Sequence, residues 1–73
     1  VDVGAKQELW STVRQAAENG AGVIVASSDV EELVDVCDRI LVLRQGRIVH
    51  ELCENPLTVD RLMNRIHDAE TAR

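Results

Sequence analysis

Between Lys6 and Asn19 the apolar residues Leu9, Trp10, Val13, Ala16 and Ala17 recur at helical spacing, and Gly20 stands just beyond them as a stop signal. This pattern predicts an amphipathic helix over 6–19. The next apolar block, 23–26, is continuous instead of alternating, which predicts a strand covered on both faces, as in a parallel sheet. Ser27, Ser28 and Asp29 follow it. Val30, Leu33, Val34 and Cys37 then mark the apolar face of a second helix, with Glu31 and Glu32 in an acidic first turn that suits the helix dipole. Two capping registers fit its start, Ser28 with Glu31 and Asp29 with Glu32.

Residues 40–43 and 47–52 read as strands meeting at Gln45-Gly46, where glycine takes a positive φ at little steric cost, so a β-hairpin is expected over 39–53. Pro56 marks a break and Thr58 a cap. Val59, Leu62, Met63 and Ile66 give a final helix over 58–69 one apolar face, and the tail after His67 is expected to fray. The order helix, strand, helix, β-hairpin, helix places the chain in the α/β class.

Composition changes this picture in one respect. A chain of 73 residues with one Trp and no Phe or Tyr must build its core from Val, Ile, Leu and Ala. A chain of this size buries only roughly 60% of its unfolded surface. Both facts suit a piece of a larger α/β sheet better than a self-sufficient domain; the missing initiator Met points to a C-terminal fragment of a longer protein, with a processed amino terminus as the other reading. The formal charge of −5 argues against a nucleic-acid partner, because phosphate contacts need a basic face. No apolar run approaches the roughly 18 residues of a membrane span, and no signal-peptide pattern is present, so membrane association is expected only through a partner. Cys37 and Cys53 lack metal-ligand spacing and are expected to be reduced thiols, Cys37 packed on a helix and Cys53 near a strand end.

The run VIVASSDVEELVDVCDRILVLRQGRIV over 23–49, with its buried strand, serine pair, capped helix and hairpin, resembles the last third of an ABC-type ATPase domain, a P-loop NTPase. The opening VDVGAK, 1–6, looks like the D-loop of the sugar-importing branch, in which an Arg-Gly pair usually precedes it. The resemblance extends through about Leu52, and the last helix matches in type more than in residues. It implies the C-terminal part of an ATP-binding subunit that powers monosaccharide import, with ATP and Mg2+ in the intact protein. The partners implied are a transmembrane permease, the other nucleotide-binding domain and, indirectly, a periplasmic sugar-binding protein. The location implied is the cytoplasmic face of the bacterial inner membrane.

Carried over by position, the resemblance gives Asp2 and Gly4 to the dimer interface, where the D-loop aspartate helps place the opposite site's water. The residues themselves also allow Asp2 to cap the first helix or close an Asp-x-Gly turn. The loop over 26–29 corresponds to the switch loop, and Ser28, followed by Asp29, occupies the place of the family's usual histidine. An imidazole there contacts the γ-phosphate and stabilises developing charge. A serine hydroxyl donates one hydrogen bond and carries no charge near neutral pH. A Ser-Ser pair is common in the second nucleotide-binding domain of fused sugar-importer ATPases, so a degenerate site is implied; a plain N-cap role for Ser28 fits the same residues.

His50 is expected to face solvent on its strand and His67 to lie in the last helical turn, both remote from the switch loop and neither a base. Asp35, Asp38, Glu51 and Glu54 read as a solvated face. The chain holds no GxxxxGK(S/T) run to wrap phosphates and hold magnesium, nor signature or Walker B motifs, so the isolated fragment is expected to be inactive. Two other readings stand beside this one: a fragment of a non-transport ABC-type ATPase such as a DNA-repair or translation factor, which VDVGAK disfavours, and a free-standing α/β interaction module without nucleotide chemistry.

Overall fold

The first helix ends where glycine allows it. In the computed structural model, which describes residues 3–71, α1 spans Val3–Glu18. Gly20 follows at φ 101°. The Gly20 amide donates to the Ala17 carbonyl at 3.0 Å and the Ala21 amide to the Ala16 carbonyl at 3.0 Å. These two bonds form a Schellman cap, which needs a left-handed residue just past the helix.

The strand expected over 23–26 is absent: these residues carry no regular secondary structure. The physical reason is a missing ladder. A strand exists only against a neighbour, and the only sheet among the described residues is a hairpin paired with itself. The side chains meant for burial on two faces are therefore open, Ile24 at 97% exposure and Val23 at 44%.

Helix α2, Val30–Val36, is short and begins at Asp29. Strands β1, Ile40–Arg44, and β2, Arg47–Leu52, pair antiparallel as expected. Gln45 and Gly46 connect them with φ 51° and 77°. Two central residues of positive φ define the type I′ turn that matches strand twist. From Ile40↔Leu52 to Val42↔His50 the register is regular, and then Leu43 faces Ile48, so Val49 is the extra residue of a β-bulge.

Thr58 caps α3, Val59–Thr71, by accepting from the Arg61 amide at 3.2 Å. This helix continues past His67 to Thr71, where fraying was expected, and its buried Ala69 explains the persistence. The core lies between the inner face of the hairpin, α2 and α3: Ile40, Leu52 and Leu62 are buried, with Val30, Leu33, Val34, Leu57 and Ile66 packed around them. Helix α1 stands apart from that core. Its Leu9 is 56% exposed, and its contacts to α2 include an ion pair from Lys6 and a hydrogen bond from Arg14.

The hairpin corrects one side-chain expectation and the loop after it another. His50 pairs with Val42 on the face that carries Leu52, and it is half-buried instead of facing solvent. Asp35, Asp38 and Glu51 are exposed as expected, whereas Glu54 is half-buried with its Oε2 shielded and unbonded.

Candidate functional site

The loop over 26–29 is shaped by a short chain of hydrogen bonds that the residue types dictate. The Ser27 hydroxyl accepts the Asp29 amide at 3.0 Å, closing a local side-chain turn. That fixes Asp29 at φ −85°, ψ 99°, an extended conformation suited to an N-cap. Asp29 Oδ1 then accepts the Glu32 amide at 3.2 Å, and the Asp29 carbonyl accepts the Leu33 amide at 3.1 Å. Of the two capping registers, the structure adopts Asp29 with Glu32.

The box is only half reciprocal. The Glu32 carboxylate turns away from the cap and meets Lys6 Nζ at 2.8 Å. Ser27 supplies the missing acceptor for the Asp29 amide. The hydrogen bond from Lys6 to Glu32, and after it their Coulomb attraction, raises the lysine pKa, with Asp29 adding to the field and desolvation opposing it. Glu32 lies in the first turn of α2, so this pair brings Lys6 of α1 beside the start of the helix that Asp29 caps. Arg14 extends the attachment by donating to the Val36 carbonyl at 3.0 Å, where α2 ends and a cation is favoured.

Ser28 is exposed and takes no part in the cap. Among the described residues its hydroxyl has no hydrogen-bond partner, which leaves one donor and two lone pairs available at the tip of the loop. Gly4 lies in the first turn of α1 and is exposed; Asp2 lies outside the described residues. His50 sits on the hairpin, and His67 on α3 has Nδ1 3.7 Å from Glu70 Oε2. Neither histidine belongs to the loop.

Beside the loop runs a shallow groove of about 430 Å³ lined by Lys6, Trp10, Asp29, Glu31, Glu32 and Asp35 among others. Four carboxylates there face one ammonium, and that ammonium is already engaged. As it stands this surface repels a polyphosphate, and the neutral hydroxyl donor at Ser28 stands on the loop outside its lining. A second, larger groove of about 900 Å³ lies between α1, residues 21–27 and β1, and is lined by Trp10, Val13, Ile24, Val25, Leu41 and Leu43 among others. Cys37 borders it as the C-cap of α2; burial, reinforced by Asp38 and opposed by Arg14, pushes its thiol pKa up. Cys53 is exposed, and both thiols are free.

Sequence reasoning missed the Lys6–Glu32 pair, because no spacing rule links residues so far apart on two elements. No family model matches the chain, and no solved structure does. Curated proteins do match. The chain is 44% identical over 63 residues to ribose import ATP-binding protein RbsA 2 of Rhizobium meliloti (strain 1021), covering 86% of this chain and 12% of that protein. It is 46% identical over 63 residues to the protein of the same name from Agrobacterium fabrum (strain C58 / ATCC 33970), with the same two coverages of 86% and 12%. L-arabinose transport ATP-binding protein AraG of Geobacillus stearothermophilus is 40% identical over 63 residues, again 86% of this chain and 12% of the relative. The chain thus spans about one eighth of the length of the curated relatives it matches, 12% in each of these three cases. Its sequence is that of a segment homologous to the ATP-binding subunits of bacterial sugar ABC importers.

Proposed function

We propose that this chain is the C-terminal part of the second nucleotide-binding domain of a sugar-importer ATPase, and that it contributes the D-loop end and the switch loop to an ATP site completed by the remainder of the polypeptide. The observation that carries the reading is the identity of 44% over 63 residues to a ribose import ATP-binding protein of which those residues are only 12%. The open 23–26 segment and the uncovered stripe of α1 support it, since both are faces that a larger sheet would bury.

In the intact subunit Ser28 donates its free hydroxyl toward the terminal phosphate, Asp29 holds the loop by capping α2, and Lys6 anchors the D-loop end through Glu32. A hydroxyl supplies one neutral hydrogen bond where an imidazolium would supply charge, so this site hydrolyses slowly or serves binding alone. ATP with Mg2+ is the cofactor of the intact protein. The partners are the permease, the other nucleotide-binding domain, which Asp2 and Gly4 of this chain face across the dimer interface, and through the permease a periplasmic sugar-binding protein. The working location is the inner face of the bacterial membrane.

By itself the chain holds no loop that wraps phosphates and, among the described residues, no cationic groove, so it binds ATP negligibly. Calorimetric titration of the 73-residue chain with Mg-ATP is expected to give no heat of binding. A micromolar isotherm would sink the idea that the site is completed elsewhere.

A further inference from the structure

The Asp29 amide has two acceptors within its own turn, and a contact from another helix decides between them. Asp29 is the N-cap of α2 and Glu32 its third helical residue, the spacing at which a glutamate carboxylate reaches back to the N-cap amide and closes a capping box. Here Glu32 Oε2 meets Lys6 Nζ at 2.8 Å instead, and the Ser27 hydroxyl takes the amide at 3.0 Å. The other half of the box is already closed, with Asp29 Oδ1 accepting the Glu32 amide at 3.2 Å. A single N–H thus chooses between the Ser27 hydroxyl and the Glu32 carboxylate.

Charge sets the choice. Lys6 offers Glu32 a full positive charge, whereas the Asp29 amide offers a dipole and stands beside the Asp29 carboxylate, which repels a second one. With Lys6 in place the carboxylate therefore stays on the ammonium. Among the described residues no other cation pairs with Glu32, so once Lys6 is withdrawn the Asp29 amide becomes the donor to which the carboxylate turns. Lys6 belongs to α1, which stands outside the buried core of Ile40, Leu52 and Leu62 and is held to α2 by polar contacts from Lys6 and Arg14.

We propose that Glu32 is a two-position carboxylate governed by Lys6, so that movement of α1 away from α2 closes the capping box at Asp29 and releases the Ser27 hydroxyl. The loop over 26–29 then presents two free hydroxyls, Ser27 and Ser28, where it now presents one. What those hydroxyls serve rests on the proposed function, in which this loop faces the terminal phosphate; the exchange of acceptors does not.

Ser27→Ala, made in the wild-type chain and in Lys6 variants, tests the exchange through hydrogen exchange of the Asp29 amide and thermal melts. In the wild type it is expected to speed exchange at Asp29 roughly 2- to 10-fold and to lower the melting temperature by roughly 4 to 8 °C. In Lys6→Met, where Glu32 holds the amide, the same change is expected to move exchange less than about twofold and melting less than about 2 °C. Lys6→Arg keeps the cation and is expected to restore the full effect of Ser27→Ala. Adding Glu32→Ala to Lys6→Met removes the second acceptor and is expected to restore it too. None of the three side chains is in the buried class, and the exchange reading stays local to the cap, so a general loss of stability is told apart from a change of acceptor. A full Ser27→Ala effect in Lys6→Met overturns the proposal, as does a Ser27→Ala without effect in the wild type. Either result leaves the ATP-site reading untouched, because that reading is tested by nucleotide binding and turnover in the intact subunit.

Discussion

Replacing Asp29 and Ser28 one at a time by alanine separates structure from chemistry in the switch loop. Asp29 Oδ1 accepts the Glu32 amide at 3.2 Å, and α2 is only seven residues long, so few other bonds compensate when that acceptor goes. Losing an N-cap costs about 0.5 to 2 kcal/mol, typically ~1. For a chain of this length ~1 kcal/mol lowers the melting temperature by roughly 4 to 8 °C. Ser28 is exposed and bonds nothing in the described structure, so Ser28→Ala falls in the class of surface changes within about ±0.5 kcal/mol. Ser27→Ala is intermediate: it removes the acceptor of the Asp29 amide, a net loss of roughly 0.5 to 1.5 kcal/mol. Thermal melts followed by far-ultraviolet circular dichroism measure all three, with Asp29→Asn as the control that keeps a capping oxygen. The expected order of loss is Asp29→Ala largest and Ser28→Ala smallest, with Asp29→Asn near wild type. Equal losses at Ser28 and Asp29, or a larger loss at Ser28, would refute the assignment of the cap and with it the claim that the Ser28 hydroxyl is free for other work.

Leu62 is 1% exposed in a core that, among the described residues, has three large buried side chains, so Leu62→Ala is expected to remove about 2 to 5 kcal/mol and to unfold most of the chain in a urea titration; a near-native midpoint would place the core elsewhere. The Cys37 thiol, raised by burial and by Asp38, is expected to alkylate more slowly than exposed Cys53 at neutral pH, which mass spectrometry of peptide fragments reads. Because the folded pKa lies above that of the unfolded thiol, the stability tied to it is present below about pH 8.5 and declines as pH rises through the raised value; the elevated Lys6 pKa has the same sign at higher pH. A Cys37→Ser variant that shows the same alkaline decline between those ranges would assign it to another group. On the proposed function, Ser28→Ala in the intact subunit is expected to lower steady-state ATP turnover less than about tenfold, since tenfold requires ~1.4 kcal/mol on the barrier. Ser28→His is expected to fold normally and to raise turnover at this site, and a hundredfold loss in a well-folded Ser28→Ala variant would show that the serine itself carries the chemistry.

Local signals proved legible and long-range ones did not. Gly20, Gln45-Gly46 and Thr58 each announced a cap or turn that the structure contains, because such features depend on a few adjacent residues. The hairpin and the last helix were readable from their own periodicity. The 23–26 block shows the limit of that method. Its composition specifies a buried strand, but a strand is a relation between chains of backbone, and the neighbours it calls for lie outside the sheet this chain can build. The choice between Ser28 and Asp29 as cap was equally undecided by spacing, since both registers have a glutamate three residues on. It was settled by Ser27, whose hydroxyl occupies the Asp29 amide, and by Lys6, which draws Glu32 away. That settlement also bears on the candidate site, because Ser28 is left without a structural duty in the helix it precedes.

The measurement that bears most directly on the central claim is the sequence of the reading frame upstream of Val1. If this chain is the C-terminal part of a sugar-importer nucleotide-binding domain, the codons before it run on in frame through an Arg-Gly pair, a Walker B strand, a signature motif and, further back, a GxxxxGK(S/T) loop. An upstream frame without those motifs, or one that opens with a start codon beside Val1, would contradict the account and favour a free-standing α/β module.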